Sequence, residues 1–221
     1  MVLAALVLVL LMGPALPRAA AADCPTNSIS ALGTHQISSN PSGSVSQNYT
    51  CTADGFPVRI SGSASYNLPM GHVTFSGSGG IGCTGSGQVA TRDVFTLSGP
   101  ASGSPLSLRA ELGVNASGYG YAGGSVTLRE GASNTSPSSP FPGSSTIGIT
   151  IQVSPGSSFD LYIEGGAGGG FSGQGTAAVD AWLGFPDLPP GYLLTSCQGF
   201  TAGIPVPVRA TSWGQLKNIY R

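Results

Sequence analysis

The sequence predicts an all-β fold: an antiparallel β-sandwich or jelly-roll-like domain of about nine or ten strands, followed by a short helical C-terminal tail. Two observations carry the prediction. Apolar residues recur at every second position in segment after segment, and Gly-, Pro- and Asp-containing turn signals separate those segments at short, regular intervals. No stretch before residue 205 shows the 3.6-residue period of a helix.

The cleanest alternation lies in residues 105–115. There Leu106, Leu108, Ala110, Leu112 and Val114 interleave with Ser107, Arg109, Glu111 and Gly113. Successive side chains on a strand point to opposite faces, so this stretch has one apolar and one polar face. Arg109 and Glu111 fall on the same face, close enough to pair with each other or across the sheet.

Taken in order, residues 1–22 have the layout of a signal peptide: an apolar run, Gly13-Pro14 and four alanines ending at Ala22. The run is too short for a membrane-spanning helix, so no span is expected after cleavage. Residues 23–203 form the expected sandwich domain. Its first part, residues 27–41, is turn-rich and holds at most one short edge strand. Residues 47–53 and 58–68 flank the Asp54-Gly55 step, a hairpin signature. A short strand over 72–76 leads into a glycine-rich loop at 77–87, and residues 88–98 form the next strand with Phe95 and Leu97 facing inward. Residues 119–130 are expected to pair with 105–115. Residues 131–145 read as a polar loop, and Ile147, Ile149, Ile151 and Val153 mark a further strand. Phe159, Leu161 and Ile163 mark another, followed by a flexible connection at 165–170. The last strands cover 177–185 and 192–198. Residues 204–221 are read as an extended linker (I-P-V-P-V) and an amphipathic helical turn carrying Trp213, Leu216 and Tyr220, which either packs on its own sandwich or serves as a recognition or sorting tag.

Composition narrows the function. Charged residues are 8% of the chain and the formal charge is −1, with no basic run to neutralise phosphates, so a nucleic-acid partner is not expected. Low charge favours self-association. The four cysteines, Cys24, Cys51, Cys83 and Cys197, suit two disulfides of an exported protein. Of the three possible pairings, Cys24–Cys51 with Cys83–Cys197 is preferred. No C-x-x-C, G-x-S-x-G, H-E-x-x-H, Walker or EF-hand motif is present, and the G-x-G-x-x-G matches are not in strand-to-helix units. No cofactor and no catalytic residue is assigned. Asp160 and Glu164 share a strand face, but their backbones are roughly 13 Å apart, too far for a glycosidase pair. Calcium bound by loop oxygens with Asp54 or Asp187 has no motif behind it. Sequons at Asn48, Asn115 and Asn134 matter only in a eukaryotic secretory pathway.

Tyr119 and Tyr121 are expected to share one face of their strand, and Tyr162 and Trp182 fall on the polar phase of theirs, where planar rings can stack on sugars. Three functions follow from these features. The first is a non-enzymatic exported protein with a structural or adhesive role, meeting cell-surface or matrix polymers. The second is a carbohydrate-binding module using those rings, and the third, with least support, a secreted hydrolase.

Three stretches carry a family resemblance: D-V-F-T-L-S-G-P from Asp93, L-S-L-R-A-E-L-G-V from Leu106, and L-P-P-G-Y-L-L-T-S-C-Q-G-F from Leu188. Over about residues 88–200 the chain resembles bacterial exported β-sandwich surface proteins of the PEP-CTERM-related type. The resemblance implies a secreted, extracellular or envelope location rather than a reaction. The chain departs from anchored members in lacking a Pro-Glu-Pro signal, terminal apolar span and basic tail, and ends in W-G-Q-L-K-N-I-Y-R. No PEP-CTERM anchor is therefore expected.

Overall fold

The computed structural model describes residues 24–100, 104–132, 134–136, 142–170 and 172–203. Residues 1–22, expected to be a leader, and the expected helical tail with Trp213, Leu216 and Tyr220 lie outside the described residues. The strands are β1 (Asn27–Ala31), β2 (Thr34–Ser38), β3 (Ser42–Ala53), β4 (Phe56–Asn67), β5 (His72–Gly79), β6 (Thr84–Ser98) and β7 (Leu106–Gly120), then β8 (Ala122–Glu130), β9 (Asn134–Thr135), β10 (Gly143–Val153), β11 (Ser158–Gly170), β12 (Gly175–Gly184), β13 (Leu193–Ser196) and β14 (Thr201–Ala202). They build two antiparallel sheets, so the fold is a β-sandwich. Among the described residues no helix is long and apolar enough to cross a membrane.

One sheet runs β14-β13-β6-β11-β8-β9, with β1 paired to the rest of the β6 edge and β2 to β1; the other runs β10-β7-β12-β5-β4-β3. We call them the β6 sheet and the β7 sheet. From β5 onward the chain repeatedly crosses between sheets. The expected pairing of residues 119–130 with 105–115 is therefore corrected. At Gly120, with φ of +67°, the chain turns over, and β8 joins β11 in the opposite sheet. The hairpin at Asp54-Gly55 is present, with both residues at positive φ as a tight two-residue turn requires. Residues 27–38 form two paired strands rather than at most one, because Leu32 and Gly33 make a second such turn.

The two ends of the sandwich are built differently. At one end Phe95 stacks on Phe159 and meets the edges of Phe185 and Phe200, with ring centroids 5.5–5.6 Å apart. Leu97, Leu108, Leu112, Leu128 and Ile151 complete that core. Toward the other end the inward positions of β5 and β6 are Gly77, Gly79, Gly85 and Gly87. A Cβ at Gly85 would drive into the carbonyl oxygens of Ser61 and Ser78, and one at Gly87 into those of Ser63 and Ser76. Sheets packed through side chains sit ~10 Å apart, so glycine here allows a much closer, backbone-to-backbone approach. The expected loops at 77–87 and 165–170 are accordingly corrected. Both are mostly strand, in β5, β6 and β11, and the glycines within the strands serve packing, while Gly82 makes the β5–β6 turn at positive φ.

The disulfides are Cys24–Cys197 and Cys51–Cys83, with Cα–Cα distances of 5.6 and 6.4 Å. This corrects the expected pairing of Cys24 with Cys51 and Cys83 with Cys197. The β3–β4 hairpin puts Cys51 opposite Val58, and Val58 packs against Gly80, which bridges to Cys83. At the other end, the Cys197 N–H donates to the Val94 carbonyl, placing it beside the strand along which β1 enters. The bridges span 173 and 32 residues, worth about 5 and 4 kcal/mol respectively in the chain-entropy account.

Gly85→Ala is expected to cost about 3 kcal/mol or more, since backbone rather than a flexible side chain must yield. Gly123→Ala, where a Cβ meets nothing within 4 Å, should change stability by less than about 0.5 kcal/mol. Urea denaturation of both variants checks the contrast; equal effects would refute the close backbone approach. Replacing Cys51 and Cys83 together by serine should lower stability by about 3–4 kcal/mol, read from the same transitions. Replacing Cys24 and Cys51 together breaks both bridges and should cost more than the Cys51/Cys83 variant; a smaller loss than that variant shows would refute the pairing.

Candidate functional site

Three of the four candidate rings divide between the two outer faces, and Tyr121 lies between β7 and β8. Tyr162 lies on the β6 sheet, directly opposite Arg92 on one side and Arg129 on the other. The Arg129 guanidinium sits 3.9 Å from its ring centroid and that of Arg92 5.5 Å away. Arg92 in turn bonds Asp160 and Arg129 bonds Glu164, each at 2.7 Å. The bond to Asp160 also holds the Arg92 pKa above its ordinary value. The expected solvated carboxylates are thus half of a charge ladder, and cation–π contacts already occupy Tyr162. Sequence spacing gave the shared face of Asp160, Tyr162 and Glu164. It did not give the two arginines, which come from strands 68 and 35 residues away.

Tyr119 and Tyr121 are 61% and 64% exposed, but do not share a strand face as expected. Gly120 ends β7 between them, and Tyr121 lies against the Gly173 backbone at the corner between sheets. Tyr119 sits in register with Thr176, six residues along β12 from Trp182, roughly 20 Å away. The rings therefore form no common platform.

Trp182 is the ring around which other side chains gather. It is 44% exposed on the outer face of the β7 sheet, in register with His72 of β5 and Gly113 of β7. The His72 imidazole stacks on the indole, centroids 3.7 Å apart and planes 11° from parallel. His72 Nε2 is 2.5 Å from Asp180 Oδ1, two residues from Trp182 on the same face. The hydroxyl in register with Asp180, that of Thr74, is bonded to Ser65 at 2.7 Å.

Around this cluster the outer face carries short neutral side chains. Cross-strand hydroxyl pairs Ser61–Ser78, Ser63–Ser76 and Ser65–Thr74, 2.5–2.7 Å apart, tie β4 to β5. Beyond β12, Ser144 donates to Asn115 Oδ1 at 2.6 Å. A groove of about 470 Å³ crosses the sheet from Ser144 to Ser63, with Asn115, Ala178 and Asp180 along it. A neighbouring slot of about 390 Å³ lies between Trp182, Gly113 and Thr146. Arg109 and Glu111, on the same outer face of β7, pair with each other at 2.7 Å, as their spacing suggested.

Asp93 is the unusual carboxylate. It is on the core face of β6 and 4% exposed. Its Oδ1 accepts the N–H of Val94 and of Gln198 at 2.9 and 3.1 Å, while Oδ2 is sealed from solvent. Burial raises its pKa, against the opposing pull of the Ser196 side chain and those two N–H groups. Gln198 also bonds Asn27, Pro25 and Arg92, so Asp93 belongs to a buried polar knot beside the Cys24–Cys197 bridge. This knot fastens the first strand and residues 196–200 to β6. Among the described residues no three His, Cys, Asp or Glu side chains gather as metal ligands. Asp54 lies in the β3–β4 turn.

A raised folded-state pKa means that the Asp93 contribution is complete below the unfolded value of 3.8 and is lost as pH rises through the folded value. Asp93→Asn removes that dependence while keeping an acceptor at Oδ1. Thermal melts from about pH 3 to 7 should show the variant gaining on the native protein as pH rises. A difference in Tm that is flat across this range would refute the assignment.

Compared with known proteins, the chain matches no protein-family model and no curated protein.

Proposed function

We propose that the protein is an exported, non-enzymatic β-sandwich with a structural or adhesive role at a cell surface or in a matrix, and that its contact surface is the outer face of the β7 sheet. The observation that carries this reading is the chemistry of that face. Ser, Thr and Asn side chains stand in register across several strands, with hydroxyl ladders between β4 and β5 and an open groove over Ala178. Such a field offers both donors and acceptors to a hydrated polymer without the desolvation cost of buried charge. The β6 sheet is different: its Arg92–Tyr162–Arg129 ladder is already internally paired. Two disulfides fit an oxidising location such as the extracellular space.

Labelled full-length protein, as secreted, should bind washed producer cells or their matrix. Ser76→Lys, at the centre of the β7-sheet face, should reduce retention at least about fivefold, and Ser125→Lys on the β6-sheet face should leave it unchanged. Recovery as a monomer with no affinity for cells or matrix would sink the adhesive reading, and equal loss in both variants would sink the choice of face.

A further inference from the structure

Trp182 is held before any ligand arrives. His72 covers one face of the indole, and Asp180 fixes His72, so the ring keeps little rotational freedom to lose on binding. His72 and Gly113 flank Trp182 on opposite sides, one strand spacing away. The uncovered indole face therefore looks over Gly113, the position on that side with no side chain. Thr146 of β10, in register with Gly113, forms the far wall of the resulting slot. Asn115 and Ser144 line both the slot and the transverse groove, so the two are continuous. The groove runs over β10, β7, β12, β5 and β4, four strand spacings or roughly 19 Å.

We propose that this slot and groove bind a neutral polysaccharide chain. One pyranose ring lies in the slot with its C–H face on the free face of Trp182, and adjoining sugar units cross the sheet along the groove. This deepens the adhesive reading above, on which it rests for the choice of face. A sugar ring offers an apolar C–H face bordered by hydroxyls. The slot meets it with a π face on one side and hydroxyl and amide groups at the ends. The Ser144 bond uses the Asn115 carbonyl and neither of the amide's two N–H donors, which suits recognition of a sugar oxygen. The ligand is neutral because no Arg or Lys lines either cavity, and the carboxylate there, Asp180, is engaged by His72. A sulfated or uronic chain would find no counter-charge for its anions.

The test uses the secreted full-length protein and titrates it with neutral probes: soluble β-glucan, mannan, galactan, xylan and chitin oligosaccharides. Polygalacturonate and heparin serve as anionic comparators. At least one neutral glycan is expected to bind. Trp182→Ala should weaken that binding at least tenfold, with a cooperative melting transition retained because the ring lies on the outer face of the sheet. Gly113→Val should do the same by filling the slot. A Cβ there meets nothing nearer than the Trp182 carbonyl oxygen at 3.9 Å, and a β-branched residue suits a strand. Tyr162→Ala on the other sheet should have no effect. Three results would overturn the proposal: no neutral glycan bound, binding confined to the anionic polymers, or neutral binding that survives both Trp182→Ala and Gly113→Val. Cell or matrix retention measured on the same variants separates this idea from the adhesive reading. Retention with no glycan binding refutes the sugar site alone. Glycan binding without retention supports the sugar site and refutes adhesion.

Discussion

The sandwich depends on the close approach of β5 and β6. Inward glycines at 77, 79, 85 and 87 place the backbone of one strand within contact distance of the carbonyls opposite, where any Cβ would collide. The gain is dispersion contact and exclusion of water along a seam with few side chains to order. Its cost is the larger backbone entropy that glycine loses on folding. The aromatic cluster around Phe95 at the other end supplies the apolar burial that a glycine seam lacks.

Covalent and polar fastenings sit where that core thins or ends. Cys51–Cys83 ties the β3–β4 hairpin to the turn between β5 and β6 at the glycine end. Cys24–Cys197 and the Asn27–Gln198–Asp93 knot pin the first strand and residues 196–200 to β6. Within the β7 sheet, continuous antiparallel ladders from β10 to β3 hold the outer side chains in register. That rigidity gives the surface around Trp182 its defined shape. The low charge of the chain has the same result: a face of hydroxyls and amides interrupted by few ions.

Much of the sheet content was legible from alternation alone. Leu108–Val114 and Ile147–Val153 are buried on the phase their periodicity marked, because side-chain direction in a strand is a local property. The Asp54-Gly55 turn and the Arg109–Glu111 pair were legible for the same reason. The candidate site was legible only in part. Trp182 could be placed on a polar phase, but Gly113, Asn115 and Ser144 carry no signal of their own until β7, β12 and β10 are aligned. His72 stands 110 residues before Trp182 in the chain, and only pairing of β5 with β12 sets its ring on the indole.

The sequence by itself determined that the segments with alternating apolar residues are extended and which face of each is apolar, since both follow from a two-residue repeat. It also determined the scarcity of charge and the supply of cysteines. Tertiary structure decided which strands are neighbours: β8 with β11 rather than β7, Cys24 with Cys197, and Tyr162 between two arginines. It also decided that glycine-rich stretches resembling loops are strands. Low intrinsic β-propensity is overruled there because only a residue without a Cβ fits between two backbones packed this closely. Strand order and close approach are relations between distant segments, and a local pattern does not record them.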